Sequence, residues 1–265
     1  MDTSNLTRER IKEFLAGDKR FDGRKMNEFR KIEIETNVSK NAEGSCKVKL
    51  GDTEVIAGVK IDVAEPYSDK EDEGTQAVIA ELLPLSSPRF EMGPPGIEAV
   101  ELARIVDRGI RESGFIDFKK LCIKKEEKVY SVMIDFYTLN DDGNLIDACC
   151  LASVMALKTA KMPKYDEKKE KIEYGELTSK GLPLTNKIPL TVTFYKVGDS
   201  IIVDPIKEEQ DSSDARVSLA ITKDKEIMIN ALQKGGAEPF SEQEVEKIID
   251  MAVEKFKELS KILEE

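Results

Sequence analysis

From residue 32 the chain reads Ile32-Glu33-Ile34-Glu35-Thr36-Asn37-Val38, and from residue 46 it reads Cys46-Lys47-Val48-Lys49-Leu50-Gly51-Asp52-Thr53. Apolar and polar side chains alternate with a period of two in both stretches, the pattern of strands with one buried and one wet face. Gly51-Asp52 has turn chemistry, so the second strand folds back into the run that ends at Val63. The expected product is a hairpin-rich sheet.

Toward the N-terminus, Ile11, Phe14 and Leu15 sit at helical spacing with Gly17 as a stop, which predicts one short helix and then a loop to about residue 30. On the other side, residues 68–74 read as an exposed acidic loop and residues 76–83 as a further strand. Pro94-Pro95-Gly96 announces a helix over residues 97–111, with Ala99, Leu102, Ala103, Val106 and Ile110 as its inner face. Residues 129–139 suit a strand, Asp141-Asp142-Gly143-Asn144 a turn, and residues 145–160 a mostly apolar, buried helix. Residues 161–184, rich in charge, Pro and Gly, are expected to be a linker. Strands resume over residues 188–197, 201–204, 217–222 and 226–231, with Gly198-Asp199 as a turn. Ser241 and Glu244 form a capping box for a last long helix with an apolar stripe of Val245, Ile248, Ile249, Ala252, Phe256, Leu259 and Leu263. Strands followed by helices, twice, give an α+β class with two sheet-and-helix subdomains, residues 1–185 and 186–265.

The 265 residues are 40% hydrophobic and 35% charged, a globular composition. A formal charge of -11 repels polyanions over most of the surface, so any nucleic-acid contact requires a local basic stripe. There is no histidine, which removes Ser-His-Asp and Cys-His catalysis and histidine metal ligation together. Cys46, Cys122, Cys149 and Cys150 lack Cys-x-x-Cys spacing and read as buried small residues. No glycine-rich phosphate loop, signal-peptide order or membrane-length apolar run is present, so cytoplasmic residence and no cofactor are expected.

Arg104, Arg108 and Arg111 share one stripe of the predicted helix. Glu101 and Asp107 are available as local ion-pair partners, which makes the plain reading a salt-bridged surface. Asp204, Glu208, Glu209 and Asp211 have the oxygen donors that suit Mg²⁺, but a solvated acidic loop is the reading preferred, with no metal. Arg20 and Arg24 read as clamps on backbone carbonyls.

The run Arg20-Phe21-Asp22-Gly23-Arg24 resembles the Arg-x-Asp-Gly-Arg opening of the RNase PH superfamily. Three further segments resemble that family in order: Glu101-Leu102-Ala103-Arg104-Ile105-Val106-Asp107-Arg108, the Gly143 turn with its buried helix, and Val203-Asp204-Pro205 followed by Glu208-Glu209. The resemblance spans nearly the whole chain and is strongest to the non-catalytic ring subunits of the archaeal exosome. It implies an RNase PH-like fold and phosphorolytic 3'-to-5' decay of single-stranded RNA. It also implies a hexameric ring, a trimer of heterodimers shared with an active RNase PH-like homologue, and RNA-binding cap proteins. Phosphorolysis suits a chain without histidine, because phosphate itself is the nucleophile and the protein supplies positioning and charge.

Active family members hold phosphate with a Gly-Ser/Thr-Arg turn at the head of the buried helix; here the turn is Gly143-Asn144-Leu145, and leucine offers no donor. Asp142 and Asp147 nearby are expected to repel phosphate. An ungapped alignment puts Arg216 in the column of the catalytic aspartate, whereas a two-residue shift puts Asp214 there. Glu98 stands where the family has an active-site arginine. The resemblance therefore implies a catalytically silent subunit whose Arg104, Arg108 and Arg111 contact RNA phosphates. Its alternatives are a self-sufficient phosphorolytic ribonuclease with Asp214 or Asp211 as acid, and an acidic binding module unrelated to RNA.

Overall fold

The computed structural model describes residues 3–263. Its first sheet has the order β1-β2-β3-β6-β4, made of β1 (Ile32–Thr36), β2 (Gly44–Leu50), β3 (Thr53–Ala64), β4 (Thr75–Glu81) and β6 (Lys128–Asn140); a short β5 (Cys122–Lys124) pairs with β6. The Gly51-Asp52 turn sets the register, with Leu50 opposite Thr53, Val48 opposite Val55 and Cys46 opposite Ala57. That register places Cys46, Val48, Leu50, Val55, Ala57, Val59 and Ile61 on one buried face. β4 runs parallel to β6, a pairing that needs a crossover, which contains helix α2 (Ile97–Ser113). Helix α3 (Leu145–Thr159) covers the apolar face, burying Ala148, Cys149, Ala152 and Ala156.

The second sheet has the order β10-β9-β11-β12, formed by β9 (Leu190–Val197), β10 (Ser200–Val203), β11 (Ala215–Lys223) and β12 (Ile227–Gly236), all antiparallel. Leu190, Val192, Phe194, Val217, Leu219 and Ile221 pack against helix α5 (Glu242–Ile262) through Ile248, Ala252, Phe256 and Leu259. The capping box on α5 is formed by Ser241 and Glu244 in both directions. Helix α1 (Asn5–Ala16) sets Ile11 and Leu15 on Tyr195, Val197 and Ile202 of the opposite face. Phe29, Ile32 and Leu151 pack against both main cores, joining the two sheet-and-helix units.

Four expectations are corrected. Residues 161–184 are not a linker: β7 (Lys161–Asp166) and β8 (Lys171–Gly181) form an antiparallel hairpin. Lys164 pairs with Glu173 across the strands at 2.6 Å, the facing apolar pairs Tyr165–Ile172 and Pro163–Leu177 are separated by register irregularities, and no regular apolar alternation marks the hairpin. The acidic stretch after Asp204 is no solvated loop; residues Lys207–Asp211 form helix α4, and Asp204 and Glu209 are buried. Ala103 is only half-buried, while Ile105 and Gly109 complete the inner face of α2. Cys122 is half-buried, unlike the other three cysteines.

Candidate nucleic-acid interface and the adjoining cleft

Three arginines of the segment before β1 converge on Asp204, whose backbone adopts a positive φ of 45° just after β10. Arg20 donates to the carbonyls of Val203 and Asp204 at 3.1 and 2.9 Å and forms a two-pronged pair with Glu209 at 3.0 and 2.5 Å. Arg24 reaches the Asp204 carboxylate at 3.0 Å and its carbonyl at 2.9 Å. Arg30 clasps both Asp204 oxygens at 2.7 and 2.9 Å and the Asp142 carboxylate at 2.9 Å. Burial opposes the Arg30 charge, but the hydrogen bonds and attraction of Asp204 and Asp142 outweigh it and raise its pKa. Arg20 and Arg24 are thus clamps on carbonyls, as the sequence suggested. Of the four carboxylates with oxygen donors suited to Mg²⁺, Asp204 and Glu209 are counter-charges of these arginines, and Asp211 is paired with Lys207 and Arg89; among the described residues no Cys/Asp/Glu group is arranged to hold a metal.

The turn before α3 is tied to the same network. Gly143 has φ +85°, and a Cβ there would lie 2.5 Å from the Pro205 carbonyl, so only glycine fits. The Asp142 N–H donates to Thr53 Oγ1 at 3.2 Å, the Gly143 N–H to Asp141 Oδ1 at 3.2 Å and the Asn144 N–H to Gln210 Oε1 at 2.7 Å. A helix start ordinarily offers its first N–H groups to an anion; here the one at the cap, Asn144, is taken by Gln210, and the two turn N–H groups before it are taken by Thr53 and Asp141. The buried Asn144 amide donates to Asp147 Oδ2 and Asp204 Oδ1, both at 3.0 Å. The Asp147 carboxylate faces inward, where it also accepts from Thr193 Oγ1 at 2.7 Å and Thr193 N–H at 3.1 Å.

Beside this turn lies a cleft lined by Arg89, Phe90, Glu98, Glu101, Leu145, Tyr195, Gln210, Asp211 and Arg216. Leu145, Glu98 and Arg216, singled out separately in the sequence, are brought together here. Arg216 pairs with Glu101 at 2.7 Å. Asp211 is held by Lys207 and by Arg89, the latter at 3.4 Å. Asp214 is absent from the lining; its carboxylate accepts the Gly198 N–H at 2.8 Å and faces Lys12 of α1 at 3.3 Å.

Arg104, Arg108 and Arg111 all lie exposed on α2. Arg111 folds back onto Asp107 at 2.5 Å, and Asp107 also accepts from Gln76 at 2.9 Å. The expected local pair of Glu101 with Arg104 is not formed, because Glu101 faces Arg216; neither Arg104 nor Arg108 has an ion-pair partner among the described residues.

Two models of the 3' exoribonuclease family match the chain, domain 1 over residues 28–163 and domain 2 over residues 187–255. The chain belongs to the 3' exoribonuclease family. "Exosome complex component Rrp42" of Thermococcus gammatolerans is 46% identical over 261 residues, covering 98% of this chain and 94% of the relative. The protein of the same name from Methanosarcina mazei is 43% identical over 257 residues, covering 97% and 92%. A solved structure described as the Archaeoglobus fulgidus exosome with RNA bound to the active site contains a chain 40% identical to this one; the two superpose with a TM-score of 0.88, covering 98% of each. The RNase PH-like two-unit fold expected from the resemblance is the one observed.

Within this 3' exoribonuclease family member, sequence reading missed Gln210, which carries no motif, and the inward turn of Asp147. The latter had a signal: a lone carboxylate inside Leu145-Ile146-Asp147-Ala148-Cys149-Cys150 of a buried helix. Burial pushes the Asp147 carboxyl up to about 7, and the hydrogen bonds from Thr193 and Asn144 offset this only in part. The folded chain therefore keeps a proton that the unfolded chain, with a carboxyl near 3.8, has released. Stability from this group is full below about pH 4 and is lost as pH rises through about 7. Asp147→Asn keeps the shape without a charge: its oxygen accepts from Asn144 and the Thr193 N–H, while its NH2 donates to Thr193 Oγ1, whose hydroxyl turns to Ser218. Thermal melts should show the variant more stable than the parent by several degrees above about pH 7, with the gap closing below about pH 4. A gap independent of pH would exclude Asp147 as the titrating group.

Proposed function

We propose that this chain is a catalytically silent subunit of an exosome ring that supports phosphate-dependent 3'-to-5' RNA decay by an active homologue. The observation that carries this reading is the cleft beside α3. Its leucine at position 145 offers no donor, its turn N–H groups are engaged internally, and the arginine at position 216 is paired with Glu101. These residues, Gly143, Asn144, Leu145 and Arg216, are the degenerate counterparts of a phosphate cradle and a catalytic acid. The chain's contribution is then to shape the partner's site and to grip RNA phosphates with Arg104 and Arg108, Arg111 adding less because Asp107 holds it. Likeness in sequence and fold to archaeal exosome components supports the assembly: a hexameric trimer of heterodimers, cytoplasmic, with RNA-binding cap proteins, single-stranded RNA as substrate, and no membrane contact. No helix of the described residues is long and apolar enough to cross a membrane.

The alternative of a self-sufficient phosphorolytic ribonuclease with Asp214 or Asp211 as its acid is disfavoured, because Asp214 faces α1 and Asp211 is held by Lys207 and Arg89. The test is phosphate-dependent release of nucleoside diphosphates from single-stranded RNA, by the chain alone and then mixed with its active homologue. Release only in the mixture is the expected result. Turnover by the purified chain alone would reject silence.

A further inference from the structure

On α2, Arg104 has two natural carboxylate partners, Glu101 one turn before it and Asp107 one turn after it, since residues three apart lie side by side on a helix. Neither serves Arg104. Asp107 is engaged by Arg111 at 2.5 Å and by Gln76 at 2.9 Å. Glu101 is engaged from outside the helix by Arg216, which β11 presents 2.7 Å away. The reach of Arg216 depends on its cross-strand neighbour: Gly235 of β12 lies opposite it in the register, and a Cβ there would stand 2.9 Å from the Arg216 guanidinium carbon. The guanidinium thus occupies space that any side chain at position 235 would take, and it is largely sheltered from solvent.

We propose that Arg216 is a positioning residue for RNA binding: by holding the Glu101 carboxylate, it keeps Arg104 free for an RNA phosphate. This rests on the reading of Arg104 and Arg108 as phosphate contacts. It gives the cation at position 216 a task of its own beyond the absence of a catalytic acid. A freed Glu101 would lie about 4.5 Å along the helix axis from Arg104 and about 10 Å from Arg108, within roughly one Debye length at moderate salt. It would compete with phosphate for both.

The experiment measures binding of a fluorescent single-stranded oligoadenylate to the ring assembled with its active homologue, at low salt, for Arg216→Met, Glu101→Gln and the double variant. Arg216→Met should weaken binding about threefold to tenfold. Adding Glu101→Gln should restore it to within about twofold, because the competing carboxylate is gone. Gly235→Ala, which displaces the guanidinium without removing it, should weaken binding in the same direction and be rescued by Glu101→Gln in the same way. The proposal is overturned by unchanged binding in Arg216→Met, and equally by a double variant as weak as Arg216→Met, which would make Arg216 itself an RNA contact or a structural prop. Arg104→Glu with Arg108→Glu in the same assay separates the two levels. If that variant also binds normally, the RNA reading fails; if it alone is weakened, only the role of Arg216 fails.

Discussion

Replacing Arg104 and Arg108 together by glutamate is expected to weaken single-stranded RNA binding by the assembled ring by one to two orders of magnitude at low salt, roughly the loss of two phosphate contacts plus the repulsion that replaces them. The whole chain has a formal charge of -11, so these two guanidiniums act against a repulsive background. Because each phosphate contact releases counterions, the variant should also flatten the plot of log affinity against log salt by about 1.4 for a single strand. Both side chains are exposed and have no ion-pair partner among the described residues, so ring assembly and melting temperature should stay close to the parent. Arg111→Ala should do less, since its guanidinium already sits on Asp107. Equal binding by the glutamate variant and the parent across the salt series would remove these residues from the RNA path.

The second large effect concerns folding. Arg20→Ala should destabilise the chain by about 3–5 kcal/mol, the range for removing one partner of a buried pair. Glu209, 1% exposed, would keep a carboxylate in a sheltered site, and the carbonyls of Val203 and Asp204 would each lose a donor. Denaturant titration should show a lower midpoint with an unchanged slope. Adding Glu209→Gln should recover part of the loss, because the stranded charge, more than the missing hydrogen bonds, sets the cost. Arg24→Ala should cost less, as Arg24 shares the Asp204 carboxylate with Arg30 and its other partner, Asp22, is more exposed. A loss under about 1 kcal/mol for Arg20→Ala would place the network outside the stability-determining part of the fold.

Most elements were legible because their signals are local. The alternation around Gly51-Asp52, the apolar stripe of α2 and the Ser241/Glu244 box each act over a few residues, and each appears in the structure. The β7–β8 hairpin was not legible, because its register is broken by irregularities and its strands bury only Pro163 and Ile172, with Lys164 facing Glu173 between them. The candidate site was legible in composition and not in connectivity. Arg20 and Arg24 could be read as clamps from their residue type, but their anchor lies some 180 residues away, so Asp204 and Glu209 looked like a wet acidic loop. Likewise helical spacing makes Glu101 available to Arg104, and only the fold brings Arg216 across Gly235 to claim it. Gln210 has no sequence signal at all; its role depends on α4 lying against the turn before α3.

The hub on Asp204 also governs how the molecule opens. It ties the leader, the first sheet's α3 turn and the second sheet into one buried network, and Phe29, Ile32 and Leu151 bridge the two cores beside it. Neither half can come apart without stranding charge in the other. Amides of β3 and β11, though in different sheets, should therefore exchange with solvent through the same global event, so that the two units behave as a single foldon.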